Sequence, residues 1–186
     1  MNLFLKQLRP AALLLLAMVV ICGLIYTAAM TGVAQLAFPH QANGSIITVT
    51  LKDGTKKDFG SALIAQKFTD PPYLIGRPMT VSNLSPTSDE QQKLVAERVQ
   101  WFHDLDPGNT APIPADLVTA SGSGVDPNIT PEAAEYQVAR VARERKLSED
   151  DVRAVIKKYT TKRFLGFIGE PTVNVLKVNL ALDGVL

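Results

Sequence analysis

Residues 10–39, PAALLLLAMVVICGLIYTAAMTGVAQLAFP, contain no charged side chain, and none occurs anywhere between Arg9 and Lys52. An α-helix needs about 20 apolar residues to cross the hydrocarbon core of a bilayer. Residues 11–31 supply them, with Leu, Val, Ile and Ala dominating, so the stretch predicts a transmembrane helix. A buried core helix, or the roughly 7–15-residue apolar region of a signal peptide, is shorter. Thr27-Ala28-Ala29 loosely fits a small-x-small cleavage site, which keeps a cleaved signal peptide as the alternative. Cys22, the single cysteine, falls mid-span after Val-Val-Ile and reads as a small apolar group rather than a lipoprotein anchor.

Charge sets the expected orientation. Lys6 and Arg9 precede the span, and no Lys or Arg follows it before Lys52, so the positive-inside rule puts residues 1–10 in the cytoplasm. Residues 32–44 then form a linker, and residues 45–186 a single domain outside, periplasmic if the membrane is the inner membrane of a bacterium. With one cysteine, no disulfide within the chain can staple that domain. Of the 19 Lys and Arg, 17 lie beyond the span, against 18 Asp and Glu. A domain carrying a net charge of −1 does not suit nucleic acid, which rewards a basic face.

The outer part reads as α/β in the α+β sense, one small mixed domain with few strands. Residues 45–51, SIITVTL, are β-branched enough for a strand, ended by a turn at Lys52-Asp53-Gly54-Thr55. Leu63, Ile64 and Phe68 predict a short helix over 61–68, and residues 73–88, with Gly76, Pro78 and Pro86, a long loop. Ser88-Asp89-Glu90 starts a helix that Trp101 and Phe102 are expected to anchor to the core. Thr130-Pro131-Glu132 starts another, running to about Arg145, with Arg140, Arg143, Glu144 and Arg145 on a solvated face. Ser148 and Asp151 have capping-box spacing for a third, backed by Val152, Val155, Ile156 and Tyr159. Residues 172–176 read as a strand, and residues 179–186 as a tail packed on the domain.

Catalytic constellations are hard to assemble. His40 and His103 are far apart and have no cysteine partners, and no Gly-x-x-x-x-Gly-Lys-Ser/Thr loop occurs. Asp116, Ser121, Ser123, Asp126 and Asn128 concentrate oxygens over a short stretch, which fits either a cation site or, more simply, caps and Asx turns. An independent anchored enzyme using Ser121 or Ser123 as nucleophile, or a sensor domain, is the alternative function.

The run Pro114-Ala115-Asp116-Leu117-Val118-Thr119-Ala120-Ser121-Gly122-Ser123-Gly124-Val125-Asp126-Pro127-Asn128-Ile129-Thr130-Pro131-Glu132, continuing through Gln137-Val138-Ala139-Arg140, resembles the signature of the KdpC family. That family is the C subunit of bacterial Kdp potassium-transporting P-type ATPases. Gly60-Ser61-Ala62-Leu63 and Gly76-Arg77-Pro78 resemble its earlier blocks. Leu165-Gly166-Phe167-Ile168-Gly169-Glu170-Pro171, with Asn179-Leu180-Ala181-Leu182-Asp183, resembles its end. One departure is visible: members carry a longer loop after Gly-Arg-Pro, with an aromatic stretch and a Ser-Gly-Gly-Ser run, whereas here Met79-Thr80-Val81 leads directly to Ser82-Asn83-Leu84.

The resemblance implies a non-catalytic accessory subunit, embedded in the bilayer beside a potassium-translocating channel-like subunit and an ATP-hydrolysing P-type subunit. It also implies a catalytic chaperone that raises the hydrolysing subunit's ATP affinity, which makes ATP the one cofactor the family brings into view. Arg77, Asp116, Ser121, Ser123, Asp126, Asn128, Gln137 and Arg140 are the candidate partner contacts, with no catalytic or metal residue assigned.

Overall fold

The computed structural model describes residues 2–51, 53–80 and 83–186, and the chain divides into two units, 1–46 and 47–186. In the first, α1 (Asn2–Met18) passes through a π-helical segment (Val19–Tyr26) into α2 (Thr27–Ala37). The Thr27 hydroxyl donates to the carbonyl of Cys22 at 3.2 Å, five residues back, which matches the wider π turn. Within this run, Lys6–Ala37 is a helix long and apolar enough to cross a membrane, with a mean hydropathy of 2.5 over an 18-residue stretch whose side chains are uncovered within the chain. Phe38 breaks the helix, and α3 (Pro39–Ala42) adds one more turn.

In the second unit, β1 (Ile46–Thr50) pairs with β2 (Lys56–Ser61) around the expected Asp-Gly turn, of which Lys52 lies outside the described residues. Asp53 Oδ1 accepts from the Thr55 amide at 2.9 Å and hydroxyl at 2.6 Å, which holds its carboxyl below the usual range. Gly54 sits at φ +81°, where a side chain is strained. β2 is an unexpected strand: Lys-Lys-Asp-Phe-Gly-Ser has no clear alternation, and the adjacent β1 is what makes it one.

The helix expected over 61–68 is absent. Ser61 ends β2 and the chain turns, with Leu63 and Ile64 exposed and Phe68 stacked on Tyr73 at 5.2 Å. Gly60 is held at φ +125° against the Gln66 amide, and Asp70-Pro71-Pro72 follows. Too few residues remain between these constraints to repay helix nucleation.

The expected loop over 73–88 has no helix or strand in its described part, which excludes Val81 and Ser82. Beyond it, α4 (Asp89–Leu105) is capped by Ser88, whose hydroxyl accepts from the Gln91 amide at 3.3 Å. Phe102 is buried, edge-on to Trp101 and Tyr136, whereas Trp101 remains 38% exposed, so of the two expected anchors Phe102 is the one that holds, with Val95, Val99 and Leu105 packed beside it. α5 (Ala115–Val118) and β3 (Asn128–Ile129) follow. The helix expected from Thr130 breaks in two, α6 (Pro131–Glu135) and α7 (Val138–Arg145), because Gln137 turns its side chain inward. Lys146, left-handed at φ 56°, ends α7.

α8 (Glu149–Lys158) starts on Ser148 as its cap: the Asp151 amide donates to the Ser148 hydroxyl at 3.1 Å, half of the expected capping box, and that hydroxyl, rather than the Ser148 amide, bonds the Asp151 carboxylate at 2.6 Å. Ser148→Ala should lower stability by about 1 kcal/mol, read as a shifted urea midpoint of the full chain in detergent.

β4 (Thr160–Thr161) and β5 (Thr172–Asn174) complete an antiparallel sheet of order β3-β5-β4, with Val173 opposite both Ile129 and Thr160. The strand expected to reach residue 176 stops at Asn174, whose side chain accepts from the Lys177 amide at 3.0 Å and so caps α9 (Val175–Leu182). Val173 and Val178 pack with Leu74, Leu117, Val141 and Val152 in one core. The result is a mixed helix-and-sheet unit with few strands.

Candidate functional site

Residues 71–75 run through this unit without a partner strand, and side chains supply the missing ladder. The Leu74 amide donates to Asn179 Oδ1 at 2.8 Å, and Asn179 Nδ2 donates back to the Leu74 carbonyl at 3.0 Å. One residue on, the Ile75 amide donates to Gln137 Oε1 at 2.8 Å, and Gln137 Nε2 returns to the Ile75 carbonyl at 3.0 Å. Two amide side chains, one from α9 and one from the α6–α7 turn, thus grip the segment as neighbouring strands would. The requirement is physical, since Leu74 is fully buried and its backbone groups cannot turn to water.

Arg140 completes the clasp. Its guanidinium donates to the carbonyls of Pro71 and Tyr73 and, at 2.7 Å, to Gln137 Oε1. It is 2% exposed, which overturns its place on a solvated face. Helical spacing located the side of α7 but not the chain that covers it.

Burial pushes Arg140 down to about 10, with Asp106 opposing the shift, so the group remains a cation at neutral pH. Asp106 also binds Arg143 at 2.9 Å and raises it. Burial first, then Asp106, pushes the Tyr136 phenol up. Arg145, expected in solvent, instead donates to the Pro72 and Leu182 carbonyls and pairs with Asp183 at 2.8 Å, its guanidinium 4.9 Å from the Tyr73 ring centre.

The clasp presents Gly76-Arg77-Pro78 at the surface. Arg77 Nη2 donates to the carbonyls of Thr119 and Ala120, at 3.4 and 3.2 Å, and Arg98 on α4 donates to that of Val118 at 2.8 Å. Two arginines therefore tie three stretches of chain around the end of α5. Beside them opens a cleft of about 470 Å³, walled by Ile75, Met79, Leu117 and the exposed ring of Trp101. Lys67, Arg77 and Arg98 line it against the single acid Glu97. The Arg77 Nε is buried there without a hydrogen-bond partner among the described residues. An apolar wall with a basic rim suits a protein surface that offers an apolar side chain beside a carboxylate.

The oxygen-rich stretch is spent on local turns. Asp116 Oδ2 accepts from the Thr130 amide at 2.7 Å, and Asp126 Oδ1 from the Asn128 amide at 3.0 Å. Ser121 Oγ accepts from Gly124 at 3.0 Å, Ser123 Oγ from Val125 at 3.3 Å, and the two hydroxyls lie 3.3 Å apart. The Asn128 side-chain oxygen accepts from Asn174 at 3.4 Å. Among the described residues, no group of three His, Cys, Asp or Glu is placed to hold a metal.

The eight candidate contacts thus separate by role. Gln137 and Arg140 are internal, Arg77 joins the interior to the cleft, and the other five shape the adjoining loop. Asn179, Arg98 and Arg145 were missed. Only Asn179 left a signal, as a lone amide within the apolar run of α9.

Comparison with known proteins covers almost the whole chain. Residues 8–184 match the family model described as KdpC, K+-transporting ATPase, c chain. The chain is 52% identical to the potassium-transporting ATPase KdpC subunit of Listeria monocytogenes over 186 residues, covering 98% of each protein. It is 50% identical to the subunit so named in Clostridium perfringens, covering 97% of this chain and 98% of that one. With the Methylococcus capsulatus protein of the same name it shares 51%, covering 94% and 96%.

Proposed function

The chain belongs to the KdpC family, and on that premise we propose that it is a single-pass accessory subunit of an ATP-driven potassium uptake complex, required for assembly and activity. The observation that carries this reading is the full-length match to proteins named as subunits of a potassium-transporting ATPase. The apolar helix Lys6–Ala37 supports membrane residence. Lys6 and Arg9 before it, with no further basic residue until Lys52, favour a cytoplasmic N-terminus and a domain on the outer face of a bacterial inner membrane.

In this reading the partners are the potassium-translocating and ATP-hydrolysing subunits. The span packs among their helices, and the outer domain rests at the mouth of the potassium pathway, offering the cleft beside Arg77 and Trp101 as its docking face. The chain itself catalyses nothing. A domain outside the membrane has no access to cytoplasmic ATP, so an effect on nucleotide affinity has to pass through the partner subunits.

The test is a mild-detergent pull-down through a C-terminal tag from potassium-limited cells expressing the native operon. Co-elution of a channel-like and an ATPase subunit with potassium-stimulated ATPase activity is expected. Elution of this chain alone, under conditions that preserve membrane complexes, overturns the reading. Protease added to intact spheroplasts should remove the domain; its survival until lysis reverses the orientation.

A further inference from the structure

Between the paired strands β4 and β5 the chain makes a tight projecting loop. The Phe164 amide donates to the Ile168 carbonyl at 2.8 Å, and the Ile168 amide donates back to Phe164 at 2.9 Å. Gly166 and Phe167 bond to Arg163 and Phe164 within the turn, and Arg163 pairs with Glu170 at 2.8 Å across its base. The tip is therefore a held shape, and it points its apolar groups outward: Phe164, Leu165, Phe167 and Ile168 are 68%, 70%, 73% and 50% exposed. Four large apolar side chains within five residues, held in water, call for an external surface.

Charge says what kind. No acid occurs between Asp151 and Glu170, while Arg153, Lys157, Lys158, Lys162 and Arg163 all do. Arg153 and Arg163 are neutralised by carboxylates. That leaves Lys162 beside the tip, and Lys157 and Lys158 in the last turn of α8, without an ion pair among the described residues. An apolar tip with a lysine at its base complements an anionic lipid surface, apolar groups entering the headgroup boundary and the ammonium group meeting phosphates. The same chain carries a helix fit to cross a bilayer, which would tether the domain to a membrane.

We propose that the β4–β5 tip is a second membrane contact, inserting Phe164, Leu165, Phe167 and Ile168 into the headgroup region of an anionic leaflet with Lys162 at its rim. The inference rests on the single-pass reading alone, so a chain that fails to capture partner subunits leaves it standing.

Trp101 is the single tryptophan, so Trp101→Phe with Phe167→Trp places the only indole at the tip. Reconstituted full-length in phosphatidylcholine vesicles containing phosphatidylglycerol, that indole should shift to the blue and be quenched by nitroxide lipids labelled near the headgroup. The quenching should fall by more than half without phosphatidylglycerol, in high salt, or on adding Lys162→Glu. Solvent-like emission with no quenching in anionic vesicles overturns the proposal. Should the double variant fold poorly, a benzophenone amino acid at position 167 in native membranes decides independently. Lipid adducts are expected, and a polypeptide adduct, whether to a partner subunit or to a second copy, overturns the proposal in favour of protein docking.

Discussion

Arg140→Ala should lower the stability of the domain formed by residues 47–186 by about 3 kcal/mol, while Arg143→Ala, three residues along the same helix, should cost clearly less. The difference lies in what each guanidinium satisfies. Arg140, itself buried, donates to two part-buried backbone carbonyls and to the buried Gln137. Its removal strands the Pro71 and Tyr73 carbonyls, each worth roughly 1–3 kcal/mol when buried, while Gln137 Oε1 keeps the Ile75 amide, and the desolvation cost no longer incurred offsets part of the loss. Arg143 is half-exposed, so its ion pair with the buried Asp106 is partly screened by solvent, and Asp106 keeps the nearby Arg140 cation when Arg143 is lost.

The pH dependence of Arg140 has a definite sign. Its folded value, about 10, lies below the ordinary 12.5, so between these the unfolded chain binds more protons and stability from this group rises with pH. Below about 9 both states are protonated, and the gap between wild type and Arg140→Ala should be flat across neutral pH. Urea midpoints of the detergent-solubilised chain at several pH values read both effects. Equal losses for Arg140→Ala and Arg143→Ala would sink the clasp as a stabilising device.

Local signals carried much of the fold. Ser88, Thr130 and Ser148 each accept a hydrogen bond as caps, and Asp53-Gly54 turns as its residue types require. These features depend on neighbours a few residues away, where sequence is most informative. The apolar helix needs no partner in the chain to be recognised. Most of the failures involve distant chain. Arg140 and Arg145 are charged side chains at ordinary helical positions until residues 71–73 are laid over them. β2 has no pattern of its own, and the helix at 61–68 yielded to a positive-φ glycine and two prolines. In the cleft, Arg77 was legible through Gly76-Arg77-Pro78. Arg98 and the exposed face of Trp101 were not, because helical spacing treats an aromatic beside Phe102 as core.

Asn179→Leu separates hydrophobic patterning from backbone satisfaction. Within Val-Leu-Lys-Val-Asn-Leu-Ala-Leu, a leucine at 179 improves the apolar pattern of α9, and burial alone rewards the exchange. The structure demands the opposite result. Asn179 is 1% exposed and both ends of its amide are used on Leu74. Leucine orphans a buried N–H and a buried carbonyl together, so the loss should be about 2–5 kcal/mol. Asn179→Asp keeps the acceptor for the Leu74 amide but sets a carboxylate oxygen against the Leu74 carbonyl, and should not rescue.

The damage should be local before it is global. Leu74 and Ile75 hold the segment that delivers Arg77 to the Thr119 and Ala120 carbonyls. Their amides should therefore exchange with solvent at least about 30-fold faster, the factor that 2 kcal/mol implies. If the cleft is the docking face, co-purification with partner subunits should fall in step while membrane insertion, set by Lys6–Ala37, is unchanged. Unchanged exchange at Leu74 and Ile75 would mean that the two amide side chains do not replace a strand. Faster exchange with undiminished co-purification would place the docking face elsewhere on the domain.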